Sequence, residues 1–160
     1  MSHSFLPLFV LLILPAILLF PGCGTNRVSV TKENGDVLLQ DRSTNDSIKL
    51  GDNVTIPDDF PSDIPRYPGA ITQFVTVVAQ EHAHSMSQQT ADDIPTVTAW
   101  IKQSLSTSGY TGINEFTESS VAMLGFEKGT ISFQFQITRD NQQGKTNILT
   151  VRQEKMPQTP

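Results

Sequence analysis

The chain has 160 residues, 38% of them hydrophobic, with 11 Lys and Arg against 16 Asp and Glu for a formal net charge of −5. That length is one domain's worth, and the acidic balance argues against nucleic acid and anionic lipid surfaces, which attract a cationic face. A single cysteine, Cys23, excludes an internal disulfide, so the fold must rest on its core.

Phe5 to Phe20 is an uncharged apolar run interrupted by Pro7 and Pro15. At 1.5 Å rise per residue it covers roughly 24 Å, short of the ~30 Å hydrocarbon core, which suits a secretory h-region better than a spanning helix. Pro21-Gly22-Cys23-Gly24 follows. A lone cysteine behind a small residue at this place resembles the lipobox of bacterial lipoproteins. The resemblance implies that residues 1–22 are a signal peptide and that Cys23 becomes the lipidated first residue of the mature chain. The alternative is an ordinary signal peptide, or an uncleaved anchor, with an incidental cysteine. Residues 1–22 carry no Asp, Glu, Lys or Arg, so a mature chain keeps the full −5.

Residues 23–56 read as anchor, tether and two small hairpins. Val28-Ser29-Val30 and Val37-Leu38-Leu39 flank Asn34-Gly35, a strong short hairpin signal because both central positions of a type I′ turn need positive φ. Ser47 to Leu50 and Val54 to Ile56 flank Gly51-Asp52-Asn53 as a second pair. Lone hairpins are marginal in water, so these are expected to lean on the main domain or to stay partly mobile.

Residues 57–70 form a proline-rich strap, in which Pro57, Pro61, Pro65 and Pro68 forbid a helix interior. Phe60, Ile64 and Tyr67 are too apolar for a free linker and are expected to anchor the strap on the core, with Pro68-Gly69 as the closing turn.

Residues 71–152 read as one α+β domain. Ile71 to Ala79 is a β-branched strand, and Ser85 to Thr90 pairs back on it after a turn near Glu81 to His84. Asp93 caps a helix with Pro95 in its first turn, and Ile94, Val97, Ile101 and Leu105 form its apolar stripe beside Trp100. Gly109 and Tyr110 match the C′ and C″ positions of a Schellman stop. Four strands follow, over 112–117, 121–126, 131–137 and 148–151. In the third, Phe133, Phe135 and Ile137 alternate with Ser132, Gln134 and Gln136, which predicts one buried and one wet face. The expected fold is therefore an antiparallel sheet of about six strands with one amphipathic helix on one face (ββαββββ), preceded by the small hairpins. Residues 153–160 read as a fraying tail.

The run Pro57-Asp58-Asp59-Phe60-Pro61-Ser62-Asp63-Ile64-Pro65-Arg66-Tyr67-Pro68-Gly69-Ala70, with the Trp-bearing helix ending in Ser108-Gly109-Tyr110 and with Phe126-Glu127-Lys128-Gly129, resembles a set of bacterial cell-envelope lipoproteins of unknown function over roughly residues 54–151. The resemblance implies a membrane-anchored chain facing the periplasm or cell exterior, held through its N-terminal lipid; another envelope protein is the candidate partner of the exposed sheet face or the strap. The resemblance carries no activity, cofactor or catalytic residues.

The chemistry-bearing residues are few. His82 and His84, beside Glu81, would share a face in a strand and could chelate one ion, against the simpler reading of a polar turn. Asp58, Asp59 and Asp63 lack the glycine-turned loop of a calcium site and read as solvated charges. Trp100 could line a ligand site but is more often core on such a helix. No Gly-x-Ser-x-Gly elbow, Ser-x-x-Lys or His-Glu-x-x-His motif is present, and no glycine-rich phosphate loop. These observations point to no catalytic residue and no cofactor. They favour a non-catalytic binding or interaction module using the Ser132, Gln134 and Gln136 face or the strap, with a small-ligand or metal-binding receptor as the alternative.

Overall fold

The computed structural model describes residues 27–156. The expected signal segment 1–22, Cys23 and the end of the tail lie outside the described residues. Within them a nine-stranded antiparallel sheet is formed by β1 (Val28–Glu33), β2 (Asp36–Asp41), β3 (Ser47–Leu50), β4 (Ile71–Val78), β5 (Ala83–Thr90), β6 (Thr111–Thr117), β7 (Val121–Lys128), β8 (Ile131–Asp140) and β9 (Lys145–Glu154), in the order β1-β2-β3-β4-β5-β9-β8-β7-β6. The single helix among the described residues, α1 (Ile94–Thr107), leaves β5 and delivers the chain to the far edge at β6. From there β6 to β9 meander back until β9 pairs with β5.

The α+β class holds, but the sheet has nine strands rather than about six. The correction lies at β3. Val54 to Ile56 does not pair with Ser47–Leu50; instead β3 is laddered between β2 and β4, with Leu39↔Ile48 and Ile48↔Thr76 in register. The N-terminal strands thus extend the main sheet and are not a separate layer. Satisfying both edges of a short strand outweighs a local hairpin that would leave one edge bare. At the other end Gln153 and Glu154 belong to β9, opposite Ser132 and Ile131, rather than to a frayed tail.

The helix boundaries follow from local chemistry. The Asp93 carboxylate accepts from the Thr96 N–H at 2.9 Å, and Pro95 occupies the first turn. At the other end Tyr110 N–H donates to the Leu105 carbonyl at 2.9 Å and Gly109 N–H to that of Ser106 at 3.0 Å, the two bonds of a Schellman motif. Gly109 has φ +81°. Ile94, Val97, Ile101 and Leu105 are buried, against a core that includes Leu124, Phe126, Phe133, Phe135 and Ile137.

The strap joins β3 to β4 and crosses the same face as the helix. It is a chain of turns rather than a straight segment. Phe60 N–H donates to the Pro57 carbonyl, Ile64 N–H to that of Pro61, and Ala70 N–H to that of Tyr67. The last turn has Pro68 at its second position and Gly69, φ +72°, at its third, the requirement of type II. Phe60, Ile64 and Tyr67, each at a turn end, are buried as expected. Upstream, the buried Asp36 carboxylate lies 3.0 Å from Lys49 Nζ, and Lys49 donates to the Thr55 carbonyl, so residues 54–57 are held over β2 and β3.

Helix and strap lie on one face of the sheet, here the inner face, and cover its middle strands. The outer face changes character across its width. On β8 it presents Gln134 and Gln136, both exposed, with Ser132 half-buried. On β1 to β3 the register places Val28, Val30, Val37, Leu39, Ile48 and Leu50 outward, while Ser29, Thr31, Gln40, Ser47 and Lys49 point inward.

Leu105 is 1% exposed, so Leu105→Ala is expected to lose about 2–5 kcal/mol through transfer and cavity terms. A Cβ on Gly109 would meet only Lys128, at an ordinary 3.6 Å. Gly109→Ala should therefore cost only the left-handed backbone penalty of about 1 kcal/mol. Urea denaturation checks both, and an unchanged midpoint for Leu105→Ala would refute this packing.

Candidate functional site

A cleft of about 590 Å³ lies between the strap and the C-terminal half of α1. Ser62 to Arg66 form one wall, Trp100, Ser104, Leu105 and Ser108 the other, and Tyr110 and Lys128 close the end. The strap wall stands where it does because Ile64 is sunk into the core, which leaves Arg66 exposed on the rim. Trp100 is half-buried, and its ring meets Tyr67 edge-on with centroids 5.1 Å apart. A shallower depression bounded by Trp100, Gln103, Ser104, Thr107 and Ser108 continues the groove along the helix.

Lys128 is fixed at the cleft's end. Its ammonium donates to the Ser108 carbonyl at 2.8 Å and lies 5.5 Å from the centre of the Tyr110 ring. A cation at a helix C-terminus is also favoured by the helix dipole. Tyr110 in turn donates its hydroxyl to Asp63 at 3.3 Å, and burial followed by the Asp63 charge pushes the phenol's pKa up.

Asp63 joins the cleft to the interior. Arg152, only 8% exposed, donates through Nε to both Asp63 carboxylate oxygens, at 2.9 and 3.1 Å. Its other nitrogens reach Glu154 at 3.4 Å. Asp63 is therefore no solvated charge like the exposed Asp58 and Asp59; it is the bolt between strap and sheet. The sequence carried one signal for this. Arg152 falls on the inward parity of Ile148 and Thr150, so its guanidinium had to find an acceptor inside.

His82 and His84 do not share a strand face. His82 is an exposed turn residue with φ +49° at the end of a short 3₁₀ turn (Ala79–Glu81), and only His84 lies in β5. His84 sits opposite Arg152 in the ladder, and its ring packs edge-on against Phe60 of the strap with centroids 5.6 Å apart. Its Nδ1 is buried without a hydrogen-bond partner. Among the described residues no group of three or more His, Cys, Asp and Glu side chains is placed to hold a metal ion. No helix among them is long and apolar enough to cross a membrane.

At the helix N-terminus the strap is tied a second time. The Tyr67 hydroxyl donates to Asp92 at 2.6 Å, and the Tyr67 N–H to the buried Gln88 side chain at 3.0 Å. Burial, with the Asp92 charge beside it, pushes the Tyr67 pKa up to about 12. Arg139 donates to the Ala91 and Asp92 carbonyls and holds the loop that presents this acceptor.

The cleft thus offers two cations, several hydroxyls and an aromatic wall, on a floor pinned by Asp63 and Arg152. Such a set can seat an anionic or carboxylate-bearing group against an apolar side. Comparison with protein-family models, with curated proteins and with solved structures returns no match for this chain.

Asp63→Ala should leave the Arg152 guanidinium with Glu154 alone and cost about 1–3 kcal/mol. It should also raise backbone hydrogen exchange across residues 57–66 while leaving that of β7 and β8 unchanged; uniform protection in the strap would contradict the clamp. His84 gives a pH signature. Burial first, and the neighbouring Arg152 charge next, lower its pKa from the usual 6.5 against the opposing pull of Asp63, Asp59 and Glu154. The unfolded chain then binds the proton more readily, so stability falls as pH drops below about 6.5 until the folded value is passed. His84→Gln should flatten the fall in urea midpoint between about pH 7.5 and 5; an identical fall in both proteins would remove His84 as its source.

Proposed function

We propose that the protein is a lipid-anchored, non-catalytic binding module of the bacterial envelope, held through Cys23 and meeting an envelope protein at the cleft beside the strap. The cleft carries this reading. It combines fixed aromatic edges with a rim cation, Arg66, and a second cation, Lys128, whose ammonium is already positioned by Ser108 and Tyr110. Preorganised side chains lose little freedom on binding, which favours recognition. The anchor is supported by the apolar run ending at Pro21-Gly22-Cys23. A small-ligand receptor is the second reading, because a cleft of about 590 Å³ is of the size that encloses metabolites.

The anchor is tested by Cys23→Ser, which should release the protein from membranes on carbonate washing; retention equal to the parent would refute lipidation. The site is tested by a photo-crosslinker at Ser104, with one at Gln80 as control. A discrete adduct with an envelope protein is expected from position 104 alone, and Arg66→Glu with Lys128→Glu should abolish it. Absence of any adduct specific to position 104 would overturn the protein-partner reading. A change in Trp100 fluorescence on adding low-molecular-weight periplasmic extract would then favour the small ligand.

A further inference from the structure

Among the described residues the outer face of β1 to β4 is uncovered and largely apolar, with Lys32, Asp41 and Thr76 as the polar side chains in the same register. Val28 and Val30 are 55% and 62% exposed, and Ile48 and Leu50 39% and 38%. Leu39 and Phe74 join them in register, Leu39 between Val30 and Ile48, Phe74 beside Leu50. At the Val28 end these strands enclose an apolar depression of about 310 Å³, which reaches Val78. Contiguous apolar surface of this kind marks a contact site in a folded chain. It is also the reverse of the pattern elsewhere in the sheet, since the inward side chains of the same strands are mostly polar.

The position of the chain's N-terminal segment says what meets this face. Only Gly24, Thr25, Asn26 and Arg27 separate Cys23 from Val28. A fully extended chain spans at most about 3.6 Å per residue, so Val28 can stand no further than about 18 Å from Cys23. Arg27 and Arg42 lie together at this corner, where the Arg42 N–H donates to the Arg27 carbonyl, and with Asp41 and Asp46 beside them they leave the entry point charge-balanced in a chain that is acidic as a whole. We infer that the apolar outer face of β1 to β4 rests on the lipid bilayer that holds Cys23. The inference rests on the lipoprotein reading above. The tether makes the contact intramolecular, so a surface of modest affinity stays occupied. The contact is carried by aliphatic side chains and by arginines at headgroup level, and it needs no anionic lipid, which the net charge of −5 would oppose.

The test uses the full chain, processed in cells, purified and reconstituted in phosphatidylcholine vesicles containing a spin-labelled lipid. A fluorophore is attached at Val30→Cys or Ile48→Cys, and at Gln134→Cys or Gln103→Cys as controls on the far end of the same face and on the helix. Because Val30 and Ile48 are exposed, each label can be introduced without disturbing the core, and the two positions serve as independent readouts. Quenching at 30 and 48 is expected to exceed that at 134 and 103 by about threefold or more. Equal quenching at all four positions, with Cys23 shown by mass spectrometry to be lipidated, would overturn the inference and leave the lipoprotein reading standing. Energy transfer between labels at position 48 on different copies, without lipid quenching, would overturn it in favour of a second copy of the chain. An unmodified Cys23, or a chain retaining residues 1–22, would overturn the lipoprotein reading and the inference with it.

Discussion

One ion pair fixes the middle of the strap that completes the cover over the inner face of this sheet. A single helix can lie over only part of a nine-stranded sheet, and α1 packs against β6, β7 and β8. The inner faces of β4, β5 and β9 would otherwise expose Val75, Met86 and Ile148. The strap supplies that cover, but a proline-rich chain of turns has no ladder of its own to hold it down. Asp63 reaching Arg152 fixes it near the middle, while Tyr67 on Gln88 and Asp92 fixes it near the helix N-terminus. Arg152 is too buried to remain unpaired, so the pair orders the strap and satisfies the sheet at once. The His84 ring under Phe60 and the Tyr110 hydroxyl on Asp63 both depend on the strap staying in place.

The same pair determines the shape of the cleft. Its strap wall, Ser62 to Arg66, contains Asp63, and Tyr110 at its closed end shares that carboxylate. A change that loosened Asp63 would move one wall and release the phenol at the other end together. Lys128 is independent of this, since it is held by the helix C-terminus through Ser108. The cleft therefore joins a wall fixed by a long-range ion pair to an end fixed by the local geometry of a helix stop.

What could be read from the sequence divides along that line. The helix was legible from end to end, because Asp93, Pro95, Gly109 and Tyr110 act within one turn of where they stand. The alternation of Phe133, Phe135 and Ile137 was legible for the same reason, as was the burial of Phe60, Ile64 and Tyr67, since large apolar side chains among prolines have few alternatives. The partner of β3 was not legible. Val54 to Ile56 lies close in sequence and alternates acceptably, and only the competing edge of β4 makes Ser47–Leu50 turn the other way. Asp63 and Arg152 stand 89 residues apart, and ion pairing at that distance leaves no periodic trace. His82 lies in the expected turn, but His84 was read into it too, because the strand register starts one residue after His82, whose left-handed backbone ends that turn.

The reversal of polarity at β1 to β3 ties the two proposed surfaces together geometrically. Because strand side chains alternate between faces, a segment that turns its valines and leucines outward must turn serine, threonine and lysine inward. The inward polar set serves a purpose here, since Lys49 and Asp36 hold the start of the strap down. Among the described residues the outward apolar set has no such partner. The cleft lies on the inner face toward the opposite end of the sheet, beside Lys128 at the end of β7. A bilayer contact at the outer face of β1 to β4 would therefore turn the cleft away from the lipid surface. A four-residue tether and an outward apolar corner would in that way set the direction in which the binding site looks, with no rigid stalk required.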